Sequence, residues 1–352
     1  MRPKGKMKAV LLRDKGKLVL EEWDVPPVGE GEVLVAMRRV GVCGSDVHFW
    51  KDGRIGSAII KFPWILGHET AGVVAEVGKG VTSLREGDRV VVEPGTYCGK
   101  CRACQNGRYN LCAESKFMGS PSLGGAFCEY VAHPGRLTYR IPEGLSYEAA
   151  VLAEPLNLAL YAFRRVGMTP GTTALVTGAG TIGLTTLLML RACGVHHVFI
   201  SDVRPDRLAV AGELGAAAAL NPDEADLGDA VRELTDGEGV DCVFECSGAP
   251  QALVDALNAC RRGGTIATVG MFHPAEFSFP FLELLRHEVD VCPIMRYAKS
   301  YRDTLAMLGA GLIKPERLAT HHFPLASTPE AFEWAEAGRD GAIKVMIDVS
   351  ED

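Results

Sequence analysis

The chain has 352 residues, of which 47% are hydrophobic and 23% charged, a composition typical of a folded globular protein with room for more than one domain. Its 37 basic and 44 acidic residues give a net charge of -7 without any basic block, which argues against a nucleic-acid partner. No apolar run approaches the roughly 18 residues of a membrane span, and the basic segment from Met1 to Lys6 is followed by too short an apolar run for a signal peptide, so we expect a cytoplasmic protein without a membrane partner.

Short β-type runs separated by turn signals fill the first 150 residues. The runs lie at 7–12, 18–23, 33–40, 72–77 and 89–92. Turn signals such as Pro26-Pro27 and Glu86-Gly87-Asp88 stand between them. This pattern predicts a compact, barrel-like β domain.

Three separate segments offer ligands for a metal ion. They are Cys43-Gly44-Ser45-Asp46, Gly67-His68-Glu69 and, far downstream, Glu154-Pro155. A thiol, an imidazole and carboxylates are the ligands of a catalytic zinc ion that keeps one position open for water or substrate. Taken singly, the cysteine and the histidine would also suit a buried thiol and a core imidazole. Their combination predicts a catalytic zinc site.

Ser45 and His48 would lie one turn apart if their segment is helical. A hydroxyl beside an imidazole can pass a proton from a closed site to solvent, which makes the pair a candidate relay. Two alternatives remain open: Ser45 as a helix cap, and His48 as a surface histidine near Trp50.

A cysteine cluster follows in the same half of the chain. Cys98, Cys101, Cys104 and Cys112 have C-x2-C-x2-C-x7-C spacing. Four thiolates can complete a tetrahedral shell around zinc and leave no open position, so the spacing predicts a structural zinc site. Eleven cysteines without a secretion signal favour metal ligation over disulfides. Unrelated free thiols and a redox dithiol are the alternatives.

The second half opens with a buried-strand pattern at 173–177, a glycine-rich turn and an apolar helix at 184–192. A G-x-G-x-x-G turn lets the helix amides approach a pyrophosphate, and an acidic residue about 20 positions later binds ribose hydroxyls. Asp202, at the end of a strand pattern at 197–201, lies 19 residues beyond the last glycine. The predicted NAD-binding residues are Gly178, Gly180, Ile182, Gly183, Asp202 and Arg207.

Arg204 introduces an alternative at the ribose end of this site. An arginine two residues after Asp202 could pair with the 2′-phosphate of NADP, or it could be a solvated surface residue.

Further along, strand patterns at 240–246 and 265–270 alternate with helix patterns at 206–214 and 251–261. Such alternation predicts a doubly wound parallel sheet with its ligand at the carboxyl ends of the strands, and hence a two-domain α/β protein.

Several motifs occur together along almost the whole chain. They are the segment 40–48 (VGVCGSDVH), Gly67-His68-Glu69, the segment 87–90 (GDRV), Glu154-Pro155-Leu156 and Arg296-Tyr297. This set resembles the zinc-dependent medium-chain dehydrogenases and is most similar to their sorbitol (polyol) dehydrogenase branch. The resemblance implies a GroES-like catalytic domain of residues 1–155 and 292–352, and a Rossmann nucleotide domain of residues 156–291. It also implies an active site in the cleft between the domains, and a homo-oligomer, either a tetramer or a dimer.

The same resemblance implies that Cys43, His68 and a carboxylate hold the catalytic zinc. Alcohol dehydrogenase relatives carry cysteine at the position of Glu154, whereas the polyol branch has glutamate there. Adjacent His68 and Glu69 can both be ligands only where the backbone turns. We favour Glu69 as the ligand and Glu154 as a neighbouring or exchanging carboxylate, with the reverse assignment left open.

The implied reaction oxidises a secondary hydroxyl of a polyol or sugar alcohol to a ketose, with zinc as Lewis acid and NAD as hydride acceptor. Arg296 and Tyr297 resemble the arginine and tyrosine that polyol dehydrogenases place near the active site. Phe117 and Phe49 are further substrate-binding candidates, although Phe49 replaces a tyrosine that sorbitol-type enzymes often have. An interdomain salt bridge is the alternative role for Arg296.

Other functions remain to be distinguished. The nearest alternative is a dehydrogenase of diols, simple secondary alcohols or a threonine-type 3-hydroxyl, although threonine-type relatives usually carry Asp-Pro where this chain has Glu154-Pro155. A nonenzymatic NAD-binding scaffold would lack a catalytic ligand. A redox sensor would use an exposed, reactive thiol of the cysteine cluster.

Overall fold

The structure is a computed structural model that describes residues 5–350. Within this range the chain forms two compact units, one running to Glu154 and resuming at Tyr301, the other comprising Pro155–Ser300. Residues 1–4 and 351–352, which include most of the basic segment considered as a signal peptide and both ends of the predicted catalytic domain, lie outside the described residues. Among the described helices, none combines the length and apolar character needed to span a bilayer.

The first unit is built mainly of strands. Its elements before the second unit are β1 (Lys6–Asp14), β2 (Lys17–Asp24), β3 (Glu32–Gly41), α1 (Gly44–Asp52), β4 (Arg54–Ile55), β5 (Ala58–Ile59), β6 (Trp64–Ile65), β7 (Glu69–Val77), β8 (Arg89–Val92), β9 (Gly95–Thr96), α2 (Arg102–Gln105), β10 (Lys116–Phe117), β11 (Tyr130–Pro134), β12 (Thr138–Arg140), α3 (Tyr147–Val151) and the start of α4 (Ala153–Arg165). After the second unit it adds α10 (Tyr301–Gly309), β19 (Ala319–Pro324), α11 (Thr328–Ala337) and β20 (Lys344–Asp348). The five strands predicted for this half are all present.

The main sheet of this unit has the order β12-β8-β7-β3-β20-β19, with β11 also paired to β3. Strand β20 runs antiparallel to β3, with Met346 opposite Gly41. Buried aliphatic side chains such as Val33, Val35 and Val90 form its core. The last strand of the chain therefore completes a sheet that the first hundred residues begin.

The second unit alternates strands and helices. Its elements after α4 are β13 (Thr173–Thr177), α5 (Thr181–Ala192), β14 (His197–Ser201), α6 (Pro205–Glu213), β15 (Ala218–Leu220), α7 (Leu227–Glu233), β16 (Val240–Glu245), α8 (Pro250–Ala259), β17 (Cys260–Thr268), α9 (Phe281–His287) and β18 (Asp290–Pro293). The strands form one parallel sheet in the order β15-β14-β13-β16-β17-β18. The strand order reverses at β13 and β16, which is where such sheets bind ligands. The predicted doubly wound fold is confirmed.

One predicted boundary differs from the structure. The family resemblance implies a return to the first unit at residue 292, whereas the chain rejoins that unit at Tyr301. The reason is β18, whose Val291 and Cys292 pair with Ile266 and Ala267 of β17. This edge strand is short, ends in proline and is mostly exposed, so it lacks the buried apolar run by which four other strands of this sheet were predicted.

A buried histidine gives the first unit a pH-dependent stability. His133 of β11 lies with its Nε2 atom 2.9 Å from the carbonyl oxygen of Glu93, and burial lowers the pKa of His133 to about 4 from an ordinary 6.5. The folded state disfavours the protonated imidazole. The contribution of His133 to the free energy of unfolding is therefore complete above pH 6.5 and is lost as the pH falls toward 4. The pKa difference between the unfolded and the folded state corresponds to about 3 kcal/mol of unfolding free energy.

We therefore expect a His133→Gln variant, whose amide can also donate to the Glu93 carbonyl, to lose less stability between pH 6.5 and 4 than the parent protein does. Urea unfolding at a series of pH values measures the difference. Parallel stability curves for the two proteins across this range would contradict the assignment.

Candidate active site

Three of the predicted zinc ligands meet in the first unit. Cys43 directly precedes α1, and His68 and Glu69 stand at the start of β7. The backbone turns at Gly67, whose φ of +96° favours glycine. Adjacent His68 and Glu69 can both be ligands only where the backbone turns, and the structure has such a turn directly before them. One ligand atom each from Cys43, His68 and Glu69 lie within 4.8 Å of one another. This donor set fits a catalytic zinc ion.

Asp46, on the first turn of α1, holds the two ligand segments together. Its carboxylate accepts hydrogen bonds from the backbone N–H of Cys43 at 3.1 Å and of Gly67 at 3.0 Å. The same carboxylate lies 3.4 Å from Nδ1 of His68, which leaves Nε2 for a metal ion. Burial opposes protonation of the imidazole, but the charges of Asp46 and Cys43 outweigh it and raise the pKa of His68. Asp46 thus orients the histidine.

We expect an Asp46→Asn variant to bind zinc at this site about 10- to 100-fold more weakly, because the histidine loses the charge that orients it. Zinc affinity is measured by competition with a chromogenic chelator. Asp223→Asn, at an exposed loop position of the second unit, is the matched control and should bind zinc as the parent does. Equal affinities of the two variants would show that Asp46 only caps the helix.

Glu69 forms a buried ion pair with Lys344, the first residue of β20. The Lys344 ammonium donates to both carboxylate oxygens at 2.7 Å, and the side chains are 2% and 1% exposed. Burial disfavours the ammonium, but the charges of Glu69, Cys43 and Glu154 outweigh it and raise the pKa of Lys344. Glu154, buried at the start of α4, is therefore a third acidic group in this charge cluster.

The four cysteines of the predicted structural site also come together. One sulfur each of Cys98, Cys101, Cys104 and Cys112 lie within 4.8 Å of one another. Backbone N–H groups of Lys100 and Cys101 lower the pKa of the Cys98 thiol to about 7, whereas burial and the Cys101 thiol raise the pKa of Cys104 to about 12. Four thiolates on one loop fit a tetrahedral zinc ion without an open position.

A tyrosine-carboxylate network attaches this cysteine lobe, residues 98–112, to the sheet. Glu93, which follows β8, accepts hydrogen bonds from the hydroxyls of Tyr109 in the lobe and Tyr139 in β12, at 2.7 and 2.8 Å. At the base of the lobe, β9 pairs with β10, with Gly95 opposite Phe117. The Phe117 ring lies 5.2 Å from the ring of His68. Phe117 thus connects the lobe to His68, one of the predicted zinc ligands.

The glycine-rich turn lies between β13 and α5 in the second unit. A side chain at Gly183 would place its Cβ 1.7 Å from the carbonyl oxygen of Gly178, so the close turn requires glycine. Asp202, just beyond β14, accepts hydrogen bonds from the backbone N–H groups of Ala179 and Arg204, at 2.7 and 2.9 Å. These contacts place a carboxylate directly beside the turn.

Two arginines near the turn differ in their partners. The buried Nε atom of Arg207 has no hydrogen-bond partner within the described part of the chain, and Nη1 lies 3.6 Å from the position of a Cβ on Gly180. A guanidinium in that position fits an anion such as a pyrophosphate. Arg204 instead pairs through Nε and Nη2 with both oxygens of Asp206, at 3.1 and 2.7 Å.

Comparison with known proteins finds family matches in both halves of the chain. Residues 29–143 match the family described as alcohol dehydrogenase GroES-like domain, and residues 181–310 match the zinc-binding dehydrogenases. The chain is 37% identical over 341 residues to a sorbitol dehydrogenase of Bacillus subtilis, which covers 97% of each chain. It is a zinc-dependent medium-chain dehydrogenase of the sorbitol dehydrogenase branch.

Two further similarities extend over nearly the whole of this dehydrogenase. An L-idonate 5-dehydrogenase of Vitis vinifera is 39% identical over 94% of this chain and 92% of its own. A solved structure of an Escherichia coli oxidoreductase of unknown specificity superposes with a TM-score of 0.93 and 33% identity, over 98% of this chain and all of the other. The predicted GroES-like and Rossmann folds are confirmed.

The predicted relay lies on α1 of the dehydrogenase. Ser45 and His48 are three residues apart on this helix and both are half-buried, so a shared face is available to them. His48 Nδ1 is 4.0 Å from Asp52, one turn further along. The proton relay stays a prediction.

The predicted substrate residues fall in different surroundings. Phe49 is buried in the core of the first unit, so packing explains its apolar side chain, and contact with a substrate stays a prediction. Arg296 and Tyr297 follow β18 in the second unit, where Tyr297 is buried. Arg296 has a φ of +50°, a left-handed conformation that is costly for arginine, but Asp236, Glu288, Lys299 and Asp340 also have a positive φ, so contact of Arg296 with a substrate stays a prediction.

Sequence reasoning missed the roles of Asp46 and Lys344. The position of Asp46 carried a usable signal. Cys43 is the N-cap of α1, and an acidic residue three positions after an N-cap commonly accepts a hydrogen bond from the N-cap N–H. Lys344 carried none, since it contacts Glu69 only through the pairing of β20 with β3.

Proposed function

We propose that this protein oxidises a secondary hydroxyl of a polyol or sugar alcohol to the ketose, with NAD as the hydride acceptor. The grouping of Cys43, His68 and Glu69, with its donor set for a catalytic zinc ion, carries this conclusion. The similarity of the chain to a sorbitol dehydrogenase and an L-idonate 5-dehydrogenase supports a polyol as the substrate. When bound, zinc supplies a Lewis acid that polarises the substrate oxygen.

The residues of the chain then have distinct tasks. Asp46 fixes the imidazole of His68, and Phe117 packs beside that imidazole. Bound NAD would supply the acceptor for the hydride, and Ser45 and His48 would take up the hydroxyl proton in turn and pass it to solvent. Arg296 donates hydrogen bonds to neighbouring hydroxyls of the polyol, and Tyr297 lies beside it in the chain.

The preference for NAD follows from the acidic residue after β14. Asp202 can accept a hydrogen bond from a ribose 2′-hydroxyl and repels a 2′-phosphate. The arginine that could have accommodated this phosphate, Arg204, is bound to Asp206 through both arms of its guanidinium. The turn that would bind the pyrophosphate contains Gly178, Gly180, Ile182 and Gly183. The guanidinium of Arg207 would pair with the negative charge of the pyrophosphate.

An activity screen tests the proposal. Purified protein is assayed with a panel of polyols, vicinal diols, simple secondary alcohols and threonine, each with NAD and with NADP, before and after removal of zinc by a chelator. We expect the highest kcat/KM with a polyol and NAD, and loss of activity on zinc removal. Full activity without zinc would refute the mechanism, a preference for threonine or simple alcohols would refute the substrate class, and a preference for NADP would refute the role of Asp202.

We further propose that the protein is a homo-oligomer, a tetramer by resemblance to its family, and resides in the cytoplasm. The edge strand β18 leaves backbone groups unpaired on one side, and the neighbouring Phe281 and Leu285 are 72% and 73% exposed. A second copy could pair along this edge and cover these side chains. None of the eleven cysteines forms a disulfide, which suits a reducing compartment. Light scattering of the parent and of a Leu285→Asp variant tests the assembly, and a monomeric parent would refute it.

A further inference from the structure

Glu245 is a buried carboxyl group at the carboxyl end of β16 in the second unit. Its side chain is fully buried, and the residue pairs with Thr177 of β13 and Thr268 of β17. The strand order of the sheet reverses between β13 and β16. Because parallel sheets bind ligands at such a reversal, this carboxyl group lies at the end of the sheet where NAD is predicted to bind.

One oxygen of the carboxyl group accepts several hydrogen bonds from the loop that follows β16. Oε1 accepts from the backbone N–H of Ser247 at 2.8 Å, from the Ser247 hydroxyl at 2.5 Å and from the backbone N–H of Gly248 at 2.9 Å. The Ser247 hydroxyl in turn accepts from the N–H of Ala249 at 3.1 Å. A single side chain therefore fixes the course of this loop.

The same loop packs against glycines at the two neighbouring strand ends. A side chain at Gly178, the first glycine of the NAD turn, would place its Cβ 3.0 Å from the Cα of Ser247. A Cβ on Gly270, two residues beyond β17, would lie 2.4 Å from the backbone nitrogen of Gly248. The N–H of Gly270 also donates to the carbonyl oxygen of Glu245 at 2.8 Å. The segments after β13, β16 and β17 are thus in close contact, and Glu245 lies where they meet.

Packing alone does not explain a carboxyl group in this position. Its second oxygen, Oε2, is buried and has no hydrogen-bond partner within residues 5–350, which costs stability. The partners of Oε1 are neutral amide and hydroxyl groups, and burial raises the pKa of Glu245. Both observations favour the neutral form of the group. A residue that is costly to bury and holds a loop beside the NAD turn points to a task in cofactor binding.

We propose that Glu245 is a positioning residue of the NAD site, which holds the segments after β16 and β17 in the arrangement that binds the dinucleotide. It acts as a hydrogen-bond acceptor, and its negative charge is not required. Without it, two backbone N–H groups and a hydroxyl lose their acceptor, and the loop after β16 loses its fixed course beside Gly178. This inference rests on the proposed function only in requiring that NAD binds at the turn that begins with Gly178.

The first test measures NADH affinity by fluorescence titration of the zinc-loaded parent protein, Glu245→Leu and Glu245→Gln. Glu245→Leu removes the acceptor and should weaken NADH binding about tenfold or more. Glu245→Gln keeps an oxygen for the three donors and resembles the neutral carboxyl group, so its affinity should stay within about threefold of the parent. Equal losses in both variants, or no loss in Glu245→Leu, would overturn the proposal.

Asp241, at the opposite end of β16, provides the matched control. Its carboxylate accepts from the N–H and the hydroxyl of Thr173 and from Nε of Arg261, each at 2.8 Å. Asp241→Leu therefore also deprives three donors of their acceptor. Both leucine variants should lower the melting temperature, but Asp241→Leu should bind NADH as the parent does. Equal weakening of NADH binding in the two would show that Glu245 only supports the sheet, and would refute its role.

A milder variant keeps the proposal testable if Glu245→Leu does not fold. Ser247→Ala removes only the hydroxyl that donates to Glu245. Its KM for NAD should rise about threefold or more while kcat at saturating NAD stays within about twofold, the pattern of a lost binding interaction. A lower kcat with an unchanged KM for NAD would contradict a role in cofactor binding.

The proposed function fails in a different way. If the parent binds NADH but oxidises no polyol, the proposed function is refuted, and the NADH titrations of the Glu245 variants still decide this inference. If the parent oxidises polyols and Glu245→Leu binds NADH as tightly as the parent, the role of Glu245 is refuted and the proposed function stands.

Discussion

A Cys43→Ser variant should lose about 10³-fold or more in kcat/KM, because stabilisation by a Lewis acid is worth several kcal/mol of the barrier. The thiolate is the strongest donor of the cluster, and a serine hydroxyl stays protonated and binds zinc poorly. Its zinc content should fall from two ions per chain to one. Steady-state kinetics with the best polyol and elemental analysis of the same preparation measure both effects.

The loss should be confined to chemistry at this site. Cys43 lies at the start of α1, where its side chain is half-buried, so the fold should tolerate a smaller polar atom. Cys193→Ser, which changes a half-buried thiol of the second unit, is the matched control and should retain zinc and activity. A Cys43→Ser variant with full activity and two zinc ions would show that the thiolate is not a ligand.

Removing one ligand of the cysteine lobe should act mainly on stability. Binding of a structural zinc ion is also folding energy for its loop, on the order of 10 kcal/mol in small zinc domains. Cys101→Ser should therefore make the lobe, residues 98–112, open to proteases and lower the melting temperature. Activity should fall as well, since β9 and β10 close the base of the lobe and place Phe117 beside His68.

Limited proteolysis with mapping of the first cleavage site, together with a thermal melt, measures this effect. Cys292→Ser, at a half-buried thiol on the edge strand of the other unit, is the control and should melt as the parent does. First cleavage outside the lobe, with an unchanged melting temperature, would show that the four thiols do not hold a structural metal.

The elements that sequence predicted well are those defined by local patterns. The five strands of the first half and the strand, turn and helix around Gly178 follow from short runs of apolar residues and glycine. The motifs at Cys43 and His68 could be predicted as ligands from sequence because metal chemistry restricts residue type as well as spacing, and the structure brings these side chains together. Local patterns of this kind need no knowledge of how distant segments pair.

Features that depend on distant pairing were not predicted. Lys344 reads as an ordinary lysine at the start of a strand, and only the register of β20 against β3 brings it to Glu69. The edge strand β18 has one pairing partner and little buried surface, so its composition resembles a loop. Phe49 was predicted from resemblance alone, and its burial in the core is decided by packing.

The pairing of β20 with β3 also has a consequence during synthesis of the chain. Lys344 hydrogen-bonds to Val42, 302 residues earlier, so at about 5–20 residues per second the partner strand reaches β3 only after about 15–60 s. The second unit is translated entirely within this interval. Nascent chains stalled before residue 344 should therefore contain a second unit that resists proteases and a first unit that is easily cleaved. Equal resistance of both units would contradict the folding of the second unit before the first.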